Sequence, residues 1–199
     1  MQKRILVGML AVMTLVQGCG YNRLVGLQQA VDKQWAQVQN VYQRRADLIP
    51  NLVATVSGSA NFEKSTLVEV TQARASVGKI DASQVANDPA KFAEFEKAQS
   101  ALGGALSRLL VVAENYPQLK SSSNFLELQS QLEGTENRIS VERGRYNDIV
   151  QQYNTAIKSF PTMFYSGYFG FKEKPYFTAT TGAEVAPKVD FGTQGTSPK

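Results

Sequence analysis

The chain is 199 residues long with a formal net charge of +4, 43% apolar and 19% charged residues, which suffices for one buried core. No basic run exceeds Arg44-Arg45, so no nucleic-acid footprint is expected. There is no histidine and a single cysteine, Cys19, which excludes Ser-His-Asp and Cys-His catalysis, thiolate zinc sites, CxxC redox chemistry and an internal disulfide.

Residues 1–18 read as an export signal. Lys3 and Arg4 form a positive start, and Ile5 to Val16 is a mostly apolar run, short against the ~20 residues a spanning helix needs. The run ends in Leu15-Val16-Gln17-Gly18-Cys19, which resembles a bacterial lipobox with cleavage between Gly18 and Cys19 and lipidation of the Cys19 thiol. Several acyl chains, each contributing about 0.8 kcal/mol per buried CH₂, make a stable anchor. The alternative is an uncleaved transmembrane anchor. Either way the positive start places residues 20–199 outside the cytoplasm. Gly20, rather than Asp, after the cysteine leans towards the outer membrane if the source is Gram-negative.

From Tyr21 to about Gly78 apolar residues recur in steps of three and four: Leu24, Leu27, Val31, Trp35, Val38, Tyr42, Ile49, Leu52, Val56, Leu67 and Val70. This is one helix face. Pro50 interrupts it, yet Ile49 and Leu52 keep the phase, so the spacing predicts a single helix kinked at Pro50. A loop over 78–87 follows. Asp88-Pro89 reads as an N-cap with proline at the first helical position, opening a second helix that Tyr116-Pro117 stops. Gly103-Gly104 in its middle implies a close helix approach, against residues 57–60, or a hinge.

The third helix is the clearest element. Asn124 and Glu127 have capping-box spacing, and Phe125, Leu132, Ile139, Tyr146, Tyr153 and Phe160 fall seven apart, with Leu128, Ile149, Val150 and Ile157 beside them. Pro161 ends it. The seam turns polar at Thr135, Glu136, Glu142 and Arg143, a layer suited to pairing with Arg44, Arg45 or Asp47 of the first helix or to staying solvated at the rim. The fold class expected is all-α: an up-and-down bundle of three long helices, or four if the first breaks at Pro50, with coiled-coil character.

Three segments resemble the LemA family: Tyr21-Asn22-Arg23-Leu24-Val25, Arg44-Arg45-Ala46-Asp47-Leu48-Ile49-Pro50-Asn51-Leu52-Val53, and Leu132-Glu133-Gly134-Thr135-Glu136-Asn137-Arg138-Ile139. Tyr146-Asn147, Tyr153-Asn154, Phe160-Pro161 and Gly170-Phe171 continue the likeness, which spans about residues 20 to 177. The resemblance implies a membrane-anchored, extracytoplasmic helical bundle without established enzymatic activity, and no catalytic residues carry over. Members are often described as single-pass membrane proteins; here a lipobox stands in place of a longer apolar span.

Eight of the 19 aromatics lie between Phe160 and Phe177, and they are expected to fold onto the bundle end as a short segment, 161–177. Three alternating helices, the first about 85 Å long, would leave that segment remote from the membrane, whereas four would return it. Residues 178–199, rich in Thr, Gly, Ala and Pro, read as a disordered tail. Three functions compete. The first is a non-enzymatic scaffold for unidentified envelope proteins, able to self-associate. The second is a module binding lipid or peptide between the helices. The third is a carboxylate-based metalloenzyme using Glu133, Glu136 or Glu142. No cofactor or nucleic acid is expected, and no metal site has the spacing of a known one.

Overall fold

A computed structural model describes residues 2–59 and 62–178, with side chains from Gly20 onward. The side chains of residues 1–19, and with them the lipidation site at Cys19 and the cleavage position after Gly18, lie outside the described residues. So does all of the expected disordered tail except Thr178.

The elements are α1 (Gln2–Ser57), α2 (Lys64–Gly78), the one-turn α3 (Ala82–Val85), α4 (Pro89–Ala113), the one-turn α5 (Pro117–Lys120), α6 (Ser123–Lys158) and a 3₁₀ turn, Thr162–Phe164. The protein is all-α, with no strand among the described residues. It has four long helices rather than three. α1 runs through Pro50 without ending and stops at Ser57, where Ser57-Gly58-Ser59 are weak helix formers and the chain turns back to bury Phe62 against Tyr116. Pro50 has no N–H for the carbonyl of Ala46, one turn earlier. Arg74 of α2 donates its Nε–H to that carbonyl at 3.0 Å, so the proline's missing bond is supplied by the neighbouring helix.

α1 and α6 form the spine. They run antiparallel, as the pairs Gln34–Glu142 and Arg45–Glu136 show, and α1 extends about 55 Å from Gly20 to Ser57. α2 lies antiparallel to α4, pinned by Glu69 and Arg108. α4 in turn runs parallel to α1, with Phe92, Phe95 and Gln99 beside Trp35, Tyr42 and Arg45. The end holding Gly20 is called the near end below, and the end holding Ser57 the far end.

The heptad seam of α6 is buried at Phe125, Leu132, Ile139, Tyr146 and Tyr153, facing Leu24, Val31, Trp35, Val38, Tyr42, Ile49, Leu52 and Val56 of α1. Phe160, the sixth member by spacing, is 79% exposed, because α6 ends at Lys158 and the chain turns away. The capping box expected at Asn124 and Glu127 does not form: α6 begins two residues earlier, behind Ser122, which makes no side-chain cap, and Glu127 accepts from Gln131 instead. At α4 the cap is as the spacing predicts, Asp88 accepting from the N–H groups of Ala90 and Lys91.

The core has two parts. The far part is mostly aliphatic, built by Leu48, Ile49, Leu52, Val56, Val70, Leu102, Leu106, Leu109 and Leu132 with Phe62 and Phe125. The near part is mostly aromatic, around Trp35, Tyr42, Phe92, Phe95, Tyr146, Tyr153, Phe171 and Phe177. α2 stops at Gly78, level with the boundary. In the near half the fourth position of the bundle is taken by residues 171–178, which run back along α6.

Candidate functional site

Between the two core parts sits a polar layer. Arg45 is 3% exposed; its Nη1 donates to Glu136 at 3.0 Å, and its Nη2 donates to the carbonyl of Gln99 at 3.2 Å and to the Gln99 side chain. The guanidinium also lies 5.2 Å from the Tyr42 ring centre. Gln99 is itself buried, so each member needs the other. Thr135 closes the layer by donating back to the Gln131 carbonyl at 2.7 Å. Burial raises the Tyr42 hydroxyl above its ordinary value, with Arg143 and Arg45 opposing.

Of the five residues with layer-forming potential by sequence, the structure joins Arg45 to Glu136 and places Arg143 one step further along, 3.6 Å from Glu96 of α4. Arg44 and Asp47 do not take part. Both are exposed, and Asp47 accepts from Gln43 on its own helix at 2.7 Å. The reason is angular: Arg45 alone of the three sits on the face of α1 carrying Val38, Tyr42, Ile49 and Leu52. Gly103 faces Arg45, where a Cβ would be 3.9 Å from Nη1, and Gly104 faces open space. The close approach expected between this pair and residues 57–60 is therefore absent where those residues are described.

Outside the layer the helices part to leave an open cleft of about 560 Å³. Its lining carries both signs of charge, with Arg45, Lys97 and Arg143 against Glu96, Glu133 and Glu136. Thr178 closes its near edge: the Arg143 Nη2 donates to the Thr178 carbonyl at 2.9 Å, and Glu96 accepts from its N–H at 3.2 Å. Among the described residues no group of three or more Asp, Glu, Cys or His side chains is placed to hold a metal ion.

A second arrangement was not anticipated from the sequence. Asn154 donates to the Lys174 carbonyl and accepts from its N–H, both at 2.9 Å, and Asn147 does the same for Phe177, again at 2.9 Å. The spacing is a geometric match. Seven residues of helix advance about 10.5 Å, and three of extended chain about 10 Å, so two asparagines a heptad apart grip backbone positions three apart. The repeated Tyr146-Asn147 and Tyr153-Asn154 pairs were the available signal, the tyrosine entering the core and the asparagine holding the returning segment. Phe177 then packs 4.7 Å from the Phe92 ring centre and 5.4 Å from that of Tyr146. Lys174 is buried beside Asn87 and 6.0 Å from the Tyr153 ring centre; burial lowers its ammonium below the usual lysine range, with Asp32 opposing.

The near end is closed by residues 159–171. The hydroxyl of Thr162 lies 2.7 Å from the Ala156 carbonyl and 2.8 Å from that of Ser159, answering acceptors that the end of α6 leaves open. Gly170 takes φ +79°, a left-handed turn that lets the Phe171 N–H reach the Ser166 carbonyl at 3.0 Å. The ring of Tyr165 approaches α1 so closely at Gly20 that a Cβ there would collide with its hydroxyl. The aromatic segment therefore lies beside Gly20 and Tyr21, at the end opposite to the one three helices would reach. The fourth helix reverses the parity of the path, though the break is at residues 58–63 and not at Pro50.

These features define an all-α bundle whose layer, returning extended segment and end closure are all built on α1 and α6. The LemA family model matches residues 34–191, and the chain belongs to the LemA family. It is 24% identical to the magnetosome protein MamQ of Magnetospirillum gryphiswaldense over 179 residues, 79% of this chain and 64% of that one. It is 27% identical to the protein LemA of Metamycoplasma hominis over 141 residues, 71% of this chain and 61% of that one. Over 80 residues, 40% of this chain and 29% of the other, it is 34% identical to the magnetosome protein MamQ 2 of Paramagnetospirillum magneticum. The chain thus spans less than two thirds of the length of these relatives.

Proposed function

We propose that the protein is a membrane-anchored helical scaffold of the bacterial cell envelope, facing outside the cytoplasm and working by binding rather than by catalysis. One observation carries this reading. α1 is a single helix from Gln2 to Ser57, so the apolar run Ile5–Val16 and the spine of the bundle are one element with no linker between them. Among the described residues no helix is long and apolar enough to cross a membrane, and the anchor proposed is the lipobox-like site that closes the N-terminal run. Lipidation of Cys19 after cleavage behind Gly18 is the anchor proposed, with the outer membrane as its destination in a Gram-negative cell. Its test is mass spectrometry of the mature N-terminus together with crosslinked partners from intact cells. A diacylglyceryl Cys19 and reproducible envelope partners are expected; an unmodified N-terminus in soluble extract, with no reproducible partner, sinks the reading.

The cleft favours a second reading. Its mixed charges suit a polar peptide segment better than a lipid chain, with exposed Lys97 and the partly exposed Arg143 on its wall to meet a peptide carboxylate. Arg143→Glu is expected to abolish retention of such a partner while leaving membrane attachment intact, as pull-down from detergent-solubilised membranes would report.

A further inference from the structure

The near end carries a surface that neither the bundle nor the cleft uses. Phe160, Phe164 and Tyr168 are 79%, 75% and 88% exposed, and Tyr21, Met163 and Phe169 are exposed beside them. The rings touch one another, Phe160 edge-on to Phe164 at 6.0 Å, Phe169 edge-on to Tyr168 at 5.3 Å and to Tyr21 at 5.2 Å, and only Tyr21 and Phe169 reach inward, to Phe171 at 5.7 Å and Tyr165 at 6.1 Å. Large exposed aromatics gathered at one end of a molecule mark a contact surface rather than scatter. This patch is built rigidly, held by the Thr162 hydroxyl, the Gly170 turn and the Tyr165 ring against Gly20.

We propose that this aromatic cap seats in the interfacial region of a phospholipid bilayer, so that the bundle stands on the membrane instead of hanging from its anchor. What selects lipid over another occupant is the path of the chain. The cap surrounds the point where α1 leaves the bundle, and the last apolar residue of the preceding run, Val16, is only four residues from Gly20, about 6 Å along the helix. An acyl group on Cys19 would be closer still. Whichever anchor holds the chain, the cap is brought to the lipid surface. Tyrosine and phenylalanine rings are suited to that layer, where an apolar body meets a wet edge. Lys172 is exposed on the same segment and offers positive charge to anionic headgroups, while Lys158 is paired with Glu173 at 2.8 Å.

The proposal rests on the membrane-anchor reading, and one experiment separates the two. The full chain is reconstituted in phosphatidylcholine–phosphatidylglycerol vesicles, with an indole introduced by Tyr168→Trp at the cap or by Val111→Trp on exposed α4. Trp35, being buried, contributes a constant background. The Tyr168→Trp indole is expected to be quenched by lipids brominated near the headgroup and sheltered several-fold from aqueous acrylamide. The Val111→Trp indole is expected to behave oppositely. Vesicle-bound protein in which both indoles meet acrylamide equally overturns the cap and leaves the anchor standing. Sheltering without bromolipid quenching, rising with protein concentration, overturns it in favour of a second copy of the chain. Protein that does not float with the vesicles overturns both.

Discussion

The two halves of the bundle are packed by different means. In the far half four helices surround an aliphatic core, with α1 packed chiefly on α6 and α2 on α4. In the near half α2 has ended, and α1, α4 and α6 enclose a space closed by the one-turn α3 and the extended segment 171–178. Rings fill that space: Trp35 alone lies within about 6 Å, centre to centre, of Phe92, Phe95, Tyr146 and Phe177. Where helices are close, branched aliphatics interdigitate; where one wall is an extended segment, larger side chains span the gap. The near half therefore depends on residues 171–178, far along the chain, whereas the far half is complete by Leu132.

The largest test of this contrast is Trp35→Ala. It removes four ring contacts and the indole N–H bond to the Ala82 carbonyl, and is expected to cost about 4 kcal/mol in urea unfolding. Leu109→Ala in the far core is expected to cost about 3 kcal/mol. The sharper distinction is spatial. Hydrogen exchange should rise at residues 82–85 and 171–178 in the first variant and leave them protected in the second. A uniform rise in both would mean the halves unfold as one.

Asn154→Ala comes next. It leaves the Lys174 N–H and carbonyl without partners, an expected loss of about 2 kcal/mol. Limited proteolysis should release the C-terminal segment while the far half stays intact; equal protection in variant and parent would show that Phe177 holds the segment unaided. Arg45→Met acts on the boundary itself. Glu136 is exposed and can be solvated, so the cost falls mainly on Gln99, about 1–2 kcal/mol, and adding Gln99→Leu is expected to restore most of it. If the double variant stays as unstable as the single one, the layer is not a separable divider.

The smallest effect at neutral pH belongs to Tyr146→Phe, since the Tyr146 hydroxyl is buried without a hydrogen-bond partner among the described residues. Its influence is alkaline. Burial, with Asp32 adding to it, raises the Tyr146 phenol, and burial raises Tyr153 as well. A raised phenol favours the folded state below its unfolded value near 10, and that stabilisation is lost as pH climbs from there towards the folded value. Tyr146→Phe should therefore flatten the fall of stability above pH ~10 and change little at pH 7. An unchanged alkaline slope would assign the effect to other groups.

Much of this architecture is legible in residue order. The buried faces of α1 and α6 follow from spacings of three, four and seven, and Asp88-Pro89 marks the start of α4. The break after Ser57 was obscured because Leu67 and Val70 continue the apolar phase of α1, and periodicity does not register a turn that preserves it. Pro50 does not end α1, as the in-phase Ile49 and Leu52 predict; what no local rule supplies is Arg74 arriving from another helix to take the carbonyl the proline leaves open. In the polar layer, Arg45 and Glu136 were visible as unlike charges on apolar seams. Gln99 and Glu96 were not, because nothing local distinguishes a glutamine or glutamate that will meet an arginine from one that will meet water.

By itself the sequence determined the helical class, the seam between α1 and α6, the family and the apolar run at the N-terminus, because each is written in short-range periodicity or contiguous motif. Only the tertiary structure decided how many times the chain reverses. That number sets which end receives the aromatic segment, and with it whether Phe160, Phe164 and Tyr168 lie far from the N-terminal run or around it. The reason is that a reversal costs little locally, while its consequence, the parity of the path, is a property of the whole chain.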